Sequence, residues 1–228
     1  MHRYGFNLTI DEDCLYLNVY APVMPRNASA QFPVGLFIHG GDNYVGGSND
    51  LKLHAEHLTS SQHMVVVTIN YRLGVFGWLG SRELRALARD NSTGNAGFLD
   101  QRLAMHWVQA NIAAFHGDPN RVLLFGQSQG AADVSAHMVS PGSQGLFQRA
   151  MMESGGFTGW ASKTMSKSQA NFDALLQLTH CNHSVGFAVQ CLQSKAWRDL
   201  VMVAIDANLP FPDGWSNSSW GVTIDGSV

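Results

Sequence analysis

Apolar and polar positions alternate along residues 14–20 (CLYLNVY), the pattern of a half-buried strand. Residues 34–39 (VGLFIH) form a short apolar run that ends in glycines, which predicts a buried strand. Residues 51–61 have helical character. Residues 64–69 (MVVVTI) are almost entirely apolar and β-branched, as a central strand requires. Across residues 96–115, Leu99, Leu103, Trp107, Ala110, Ile112 and Phe115 recur at helical spacing and predict one long amphipathic helix. Residues 122–125 (VLLF) read as another buried strand, 131–139 as a helix and 146–152 as a further strand. From Ser166 onward the pattern is mostly helical, and the tail after Pro210 is rich in turn residues. Continuous apolar strands alternating with helices predict an α/β fold with a largely parallel sheet covered on both faces.

Composition narrows the function. The 228 residues are 45% hydrophobic and 14% charged, with 23 glycines, which argues against disorder and against a coiled coil. This length suits one large domain or two small ones. Fourteen basic against 17 acidic residues leave a net charge of −3, so no basic excess is present to bind nucleic acid. No apolar run approaches the ~20 residues of a membrane span, and residues 1–7 lack the apolar core of a signal peptide. The three cysteines are Cys14, Cys181 and Cys191. The last two close a short loop between helix-like segments, a spacing open to a local disulfide or to two free thiols. Five N-x-[ST] sequons, at Asn7, Asn27, Asn91, Asn182 and Asn217, favour a secreted or secretory-pathway protein. The unpartnered Cys14 and the missing leader would both follow from an N-terminus upstream of Met1.

The chemical signal is centred on Ser128. Gly126-Gln127-Ser128-Gln129-Gly130 satisfies G-x-S-x-G and lies between the strand at 122–125 and the helix at 131–139. A sharp strand-to-helix turn holds the serine backbone in strained geometry. It needs flanking glycines, because side chains there would strike the neighbouring strand and helix. The hydroxyl then stands above the carboxyl ends of the strands, near a helix N-terminus whose dipole favours an anion. A second glycine-rich turn, His39-Gly40-Gly41-Asp42, closes the strand at 34–39. Backbone N–H groups of Gly41 and Asp42, with that of Gln129, would stabilise a tetrahedral oxyanion, each donor contributing roughly 3–4 kcal/mol.

These motifs and their surroundings resemble the N-terminal part of a type-B carboxylesterase, the cholinesterase and carboxylesterase family of α/β-hydrolases. The matching stretches are EDCLYLN from Glu12, FIHGG from Phe37, NYRLGVFGWL from Asn70, GNAGFLDQRLAMHWVQANIAAFHGDPNRVLLFGQSQGAA from Gly94 and LFQRAMMESGG from Leu146. They cover most of residues 12–156, and the likeness thins after Trp160. The resemblance implies a mostly parallel central sheet flanked by helices, with residues 1–228 as the N-terminal part of a single domain, incomplete on its C-terminal side. It implies hydrolysis of a small-molecule carboxylic ester through a serine, a histidine and an acid, with no metal and no cofactor. Ser128 matches the nucleophile. Gly40, Gly41 and Gln129 occupy the oxyanion positions, with Asp42 beside them. Cys181 and Cys191 match a family disulfide loop, and Cys14 matches a cysteine whose usual partner lies upstream. Trp160 resembles an acyl-pocket tryptophan, or is an ordinary core aromatic. Tyr4 aligns with a cation-binding aromatic of the cholinesterase branch.

Departures from the family pattern point the other way. Its elbows usually read GESAG, whereas Gln127 and Gln129 stand here, and Asp42 replaces a small residue of the oxyanion turn. A carboxylate beside a developing oxyanion opposes it unless it points away. The triad order in this fold is serine, acid, histidine, and 100 residues follow Ser128. The segment Val222-Thr223-Ile224-Asp225-Gly226 resembles the one just before the family's acid, so the chain is expected to stop short of both partners. His39, His137, His180, His183, Asp173 and Asp225 are expected to be structural or solvated. The alternative function is a non-catalytic binding or adhesion protein on the same fold.

Overall fold

β-Branched and apolar residues set the strands of the central sheet. The computed structural model describes residues 10–23, 31–50, 54–157, 161–181, 185–206 and 220–227. Strands β1 (Leu17–Tyr20), β2 (Phe32–Ile38), β3 (Val65–Ile69), β4 (Gly117–Gln127) and β5 (Arg149–Glu153) lie in the order β1-β3-β2-β4-β5. β1 runs antiparallel to β3, and every other pair is parallel. All positions of β3 are buried, as expected of a strand covered on both faces. Val34, Leu36, Ile38, Val65, Val67, Ile69, Val122 and Leu124 form its apolar centre.

Helices follow the strands. They are α1 (Glu56–Gln62), α2 (Gly74–Trp78), α3 (Arg82–Leu87), α4 (Ala96–Asn111), α5 (Gln129–Val139), α6 (Met165–Leu178), α7 (Val185–Gln193) and α8 (Trp197–Asp206). A separate parallel pair, β6 (Ser162–Thr164) and β7 (Val222–Ile224), was not predicted from the pattern. Nor were the short helices α2 and α3.

Several predicted boundaries move. The strand expected from residue 14 begins at Leu17, because Cys14 and Tyr16 donate to the carbonyls of Glu12 and Cys14 in turns. The helix expected over 96–115 stops at Asn111, and Ile112–Phe115 tightens into a 3-10 turn closed by His116 at φ 62°. Its predicted apolar stripe is also corrected. Leu103 is 62% exposed, while Phe98, Ala104, Met105 and Val108 are buried together with Asp100 and Gln101. The buried acid is bonded: Arg72 Nε and Nη2 donate to Asp100 at 2.7 and 2.8 Å.

Cys181 and Cys191 are joined in a disulfide, with Cα atoms 5.6 Å apart, tying the end of α6 to α7. Cys14 is a free thiol, and burial raises its pKa. No helix among the described residues is long and apolar enough to cross a membrane.

Candidate active site

The site grows from the bend between β4 and α5. Ser128 sits there at φ 56°, ψ −123°, half-buried, as the N-cap of α5. A non-glycine residue at positive φ is strained and persists only where its surroundings hold it. Here Ser128 N–H donates to Glu153 O of β5 at 2.8 Å, and Ser128 O accepts from Ala131 and Ala132 N–H at 3.0 and 3.2 Å. The flanking glycines allow this packing. A Cβ at Gly126 would lie 2.5 Å from the Gly130 carbonyl, one at Gly130 would strike Ile38 O, and one at Gly155 would strike Ser128 O.

The glycine turn after β2 touches this bend. A Cβ on Gly40 would lie 2.7 Å from Gln127 O and 3.1 Å from Ser128 Cβ. Gly41, Asp42 and Asn43 follow at φ 111°, 57° and 54°. Gly41 O accepts from Tyr44 and Val45 N–H at 2.9 and 3.0 Å. The N–H groups of Gly41 and Asp42 have no backbone acceptor among the described residues. Asp42 is exposed, while Asn43 is buried. Asn43 O accepts from Gly74 N–H at 2.7 Å.

Gln129 is fully buried, and its Nε2 donates to Asp133 Oδ1 at 3.0 Å. Its long side chain therefore points into the interior. Asp133 is itself fully buried and also accepts from Gln101 Nε2 at 2.7 Å and Asn43 Nδ2 at 3.3 Å. Burial pushes its pKa up to about 6 against the pull of these donors. Sequence reasoning missed Asp133, Gln101 and Asn43. The one available signal was the i, i+4 spacing of Gln129 and Asp133 on a helix.

His39 and His137 are held by internal contacts. His39 stacks on Tyr71 with ring centroids 4.4 Å apart, and Tyr71 Oη donates to His39 O at 2.7 Å. Its Nδ1 lies 2.8 Å from Gly40 O. A carbonyl only accepts, so Nδ1 carries the proton. Burial lowers the pKa of His39. His137 stacks on Phe98 at 3.8 Å, between Gln101 Oε1 at 3.0 Å and Ser143 Oγ at 2.8 Å. Burial pushes its pKa well below the usual histidine value. His180 is exposed, and His183 lies outside the described residues, as do Trp160 and Tyr4. Asp225 accepts from Thr93 N–H at 2.8 Å and Asn95 Nδ2 at 3.1 Å, a structural role. Asp173 is exposed and accepts from Gln169 Nε2 at 3.0 Å. Among the described residues, no cluster of His, Cys, Asp and Glu is arranged to hold a metal ion.

Residues 2–228 match the model of the carboxylesterase family. The chain belongs to this family. It is 37% identical over 220 residues to acetylcholinesterase 4 of Caenorhabditis briggsae, covering 96% of this chain and 32% of that protein. It is 36% identical over 229 residues to the neuroligin-like protein glit-1 of Caenorhabditis elegans, covering 99% of this chain and 29% of that one. A thermophilic PNB esterase structure superposes with a TM-score of 0.84 at 33% identity, covering 95% of this chain and 42% of that one. The fold is thus an α/β-hydrolase of carboxylesterase type. The chain spans about a third of the length of these curated relatives.

Proposed function

We propose that Ser128 is the nucleophile of a carboxylic ester hydrolase and that residues 1–228 are the N-terminal part of its single catalytic domain. The observation that carries this reading is the strained Ser128 backbone, packed against the Gly40 turn. Ser128 Oγ attacks the acyl carbon of a small-molecule ester while a general base takes its proton. The N–H groups of Gly41, Asp42 and Gln129, flanked by Gly40, stabilise the oxyanion. The alcohol leaves with a proton, and water then hydrolyses the acyl-serine. The base and its acid come from residues outside this chain, since His39 and His137 are committed to internal bonds. The buried side chain of Gln129 supports the reading, because it leaves the space beside Ser128 clear. By resemblance, Trp160 is the acyl-pocket tryptophan and Tyr4 the cation-binding aromatic of this reading; both lie outside the described residues. The disulfide and the exposed sequon at Asn91 support a secreted glycoprotein.

The similarity to a neuroligin-like protein and Gln127 at the elbow favour a second reading, a non-catalytic binding or adhesion protein. A serine-reactive fluorophosphonate separates the two when applied to the longest expressed form. Covalent labelling that disappears in Ser128→Ala is expected of the hydrolase. Labelling absent from the wild type, or unchanged in Ser128→Ala, overturns it.

A further inference from the structure

We propose that Asp133 is a positioning residue that clamps the Gly41–Asn43 turn to the residue after Ser128, holding the oxyanion donors of both loops in register; this rests on Ser128 as nucleophile. A single oxygen, Asp133 Oδ1, accepts from Gln129 Nε2 at 3.0 Å and from Asn43 Nδ2 at 3.3 Å. These amides belong to different segments, the turn after β2 and the start of α5, 86 residues apart in sequence and brought together only by the fold. The other oxygen, Oδ2, is fixed by Gln101 Nε2 of α4 at 2.7 Å. Three consecutive positive-φ residues make the turn a conformation that needs external restraint. Its polar restraints beyond the turn include Gly74 N–H on the Asn43 carbonyl and Asp133 on the Asn43 side chain.

The buried amides point the same way. Asn43 Oδ1 and Gln129 Oε1 are buried with no hydrogen-bond partner among the described residues. Both side chains thus turn their donor ends to the carboxylate and leave their acceptor ends unmatched. That orientation is the one an ionised acceptor at their meeting point selects. An alanine at the elbow, usual in the family this chain resembles, would need no such anchor. A glutamine there fits only if something holds it inward, and Asp133 lies one helical turn along the same face.

The test uses the longest expressed form and follows acylation of Ser128 and ester turnover. Asp133→Ala is expected to lower kcat by about 10- to 100-fold with KM little changed, part of the loss caused by deleting an oxyanion donor. Asp133→Asn is expected to restore most of the rate. Its carbonyl accepts from Gln101 Nε2, while its amide, which has two hydrogens, donates to Gln129 Oε1 and Asn43 Oδ1 once those amides flip. Asn43→Ala, a milder cut, is expected to lower kcat, and adding it to Asp133→Ala is expected to cost little more. Unchanged kcat in Asp133→Ala, fully additive losses, or no rescue by asparagine overturns the clamp. If the wild type lacks Ser128-dependent labelling, the nucleophile assignment fails, and hydrogen exchange then decides the clamp. Faster exchange in both 40–46 and 127–133 in Asn43→Ala supports it, and unchanged exchange in either segment overturns it.

Discussion

Asp133 carries a carboxylate into the interior at a cost that depends on pH. Burial raises its pKa from the usual 3.8 to about 6, so the folded protein holds that proton more tightly than the unfolded chain. The penalty is absent below pH ~4, grows as pH rises from ~4 to about 6, and is complete at neutral pH. At ~1.4 kcal/mol per pKa unit, it reaches about 3 kcal/mol. His137 acts in the opposite sense. Its pKa is depressed by burial, so stability falls as pH drops and the unfolded histidine takes up a proton. Replacing Asp133 with asparagine isolates the first effect. Urea unfolding should find Asp133→Asn more stable relative to wild type at pH 7.5 than at pH 4.5, by about 2 kcal/mol. A stability difference that does not vary with pH would mean the carboxylate titrates normally.

Helix α4 separates what periodicity reads from what it does not. Its existence follows from the spacing of apolar residues, and its first residue, Ala96, was placed correctly. The buried face was misassigned because Asp100 and Gln101 lie within it, each matched by partners far along the chain. A polar residue on an apolar face reads as solvent-facing until its partner is known. The strand–Ser128–helix unit was legible for the opposite reason. Its glycines and serine are needed within five consecutive residues, so the whole requirement lies in one short string. The Asp133 clamp, spread over the turn after β2, α4 and α5, leaves no such string. Two substitutions on α4 test the corrected face. Leu103→Glu should change stability by less than about 0.5 kcal/mol. Met105→Ala, two residues on and buried in the core, should cost about 2–4 kcal/mol in denaturant unfolding. Equal effects would return the buried stripe to its predicted place.

Long-range polar bonds fasten the small β6–β7 sheet to the body that carries the central sheet. Asn95 Oδ1 accepts from Thr223 N–H at 2.8 Å, and its Nδ2 donates to Thr223 O at 3.0 Å and to Asp225 Oδ2 at 3.1 Å. Thr93 N–H donates to the same Asp225 oxygen, and Ser168 and Thr223 share a hydroxyl bond at 2.9 Å. Asn95 thus acts as a strand neighbour for β7, meeting both backbone groups of one residue. Nothing in the sequence marks this pairing, since it joins positions 128 residues apart and uses a side chain in place of a strand. The Asp225 carboxylate is occupied in holding the segment. Asn95→Ala would leave the N–H and C=O of Thr223 buried without partners, at ~1–3 kcal/mol for each group. The expected loss is about 3 kcal/mol in global unfolding, less if β7 detaches alone. Amide exchange distinguishes these outcomes. Fast exchange confined to 222–224, with β3 and β4 still protected, would mean the small sheet opens independently. Uniform loss of protection would mean Asn95 supports the whole fold, and no change in either would remove it as the fastening point.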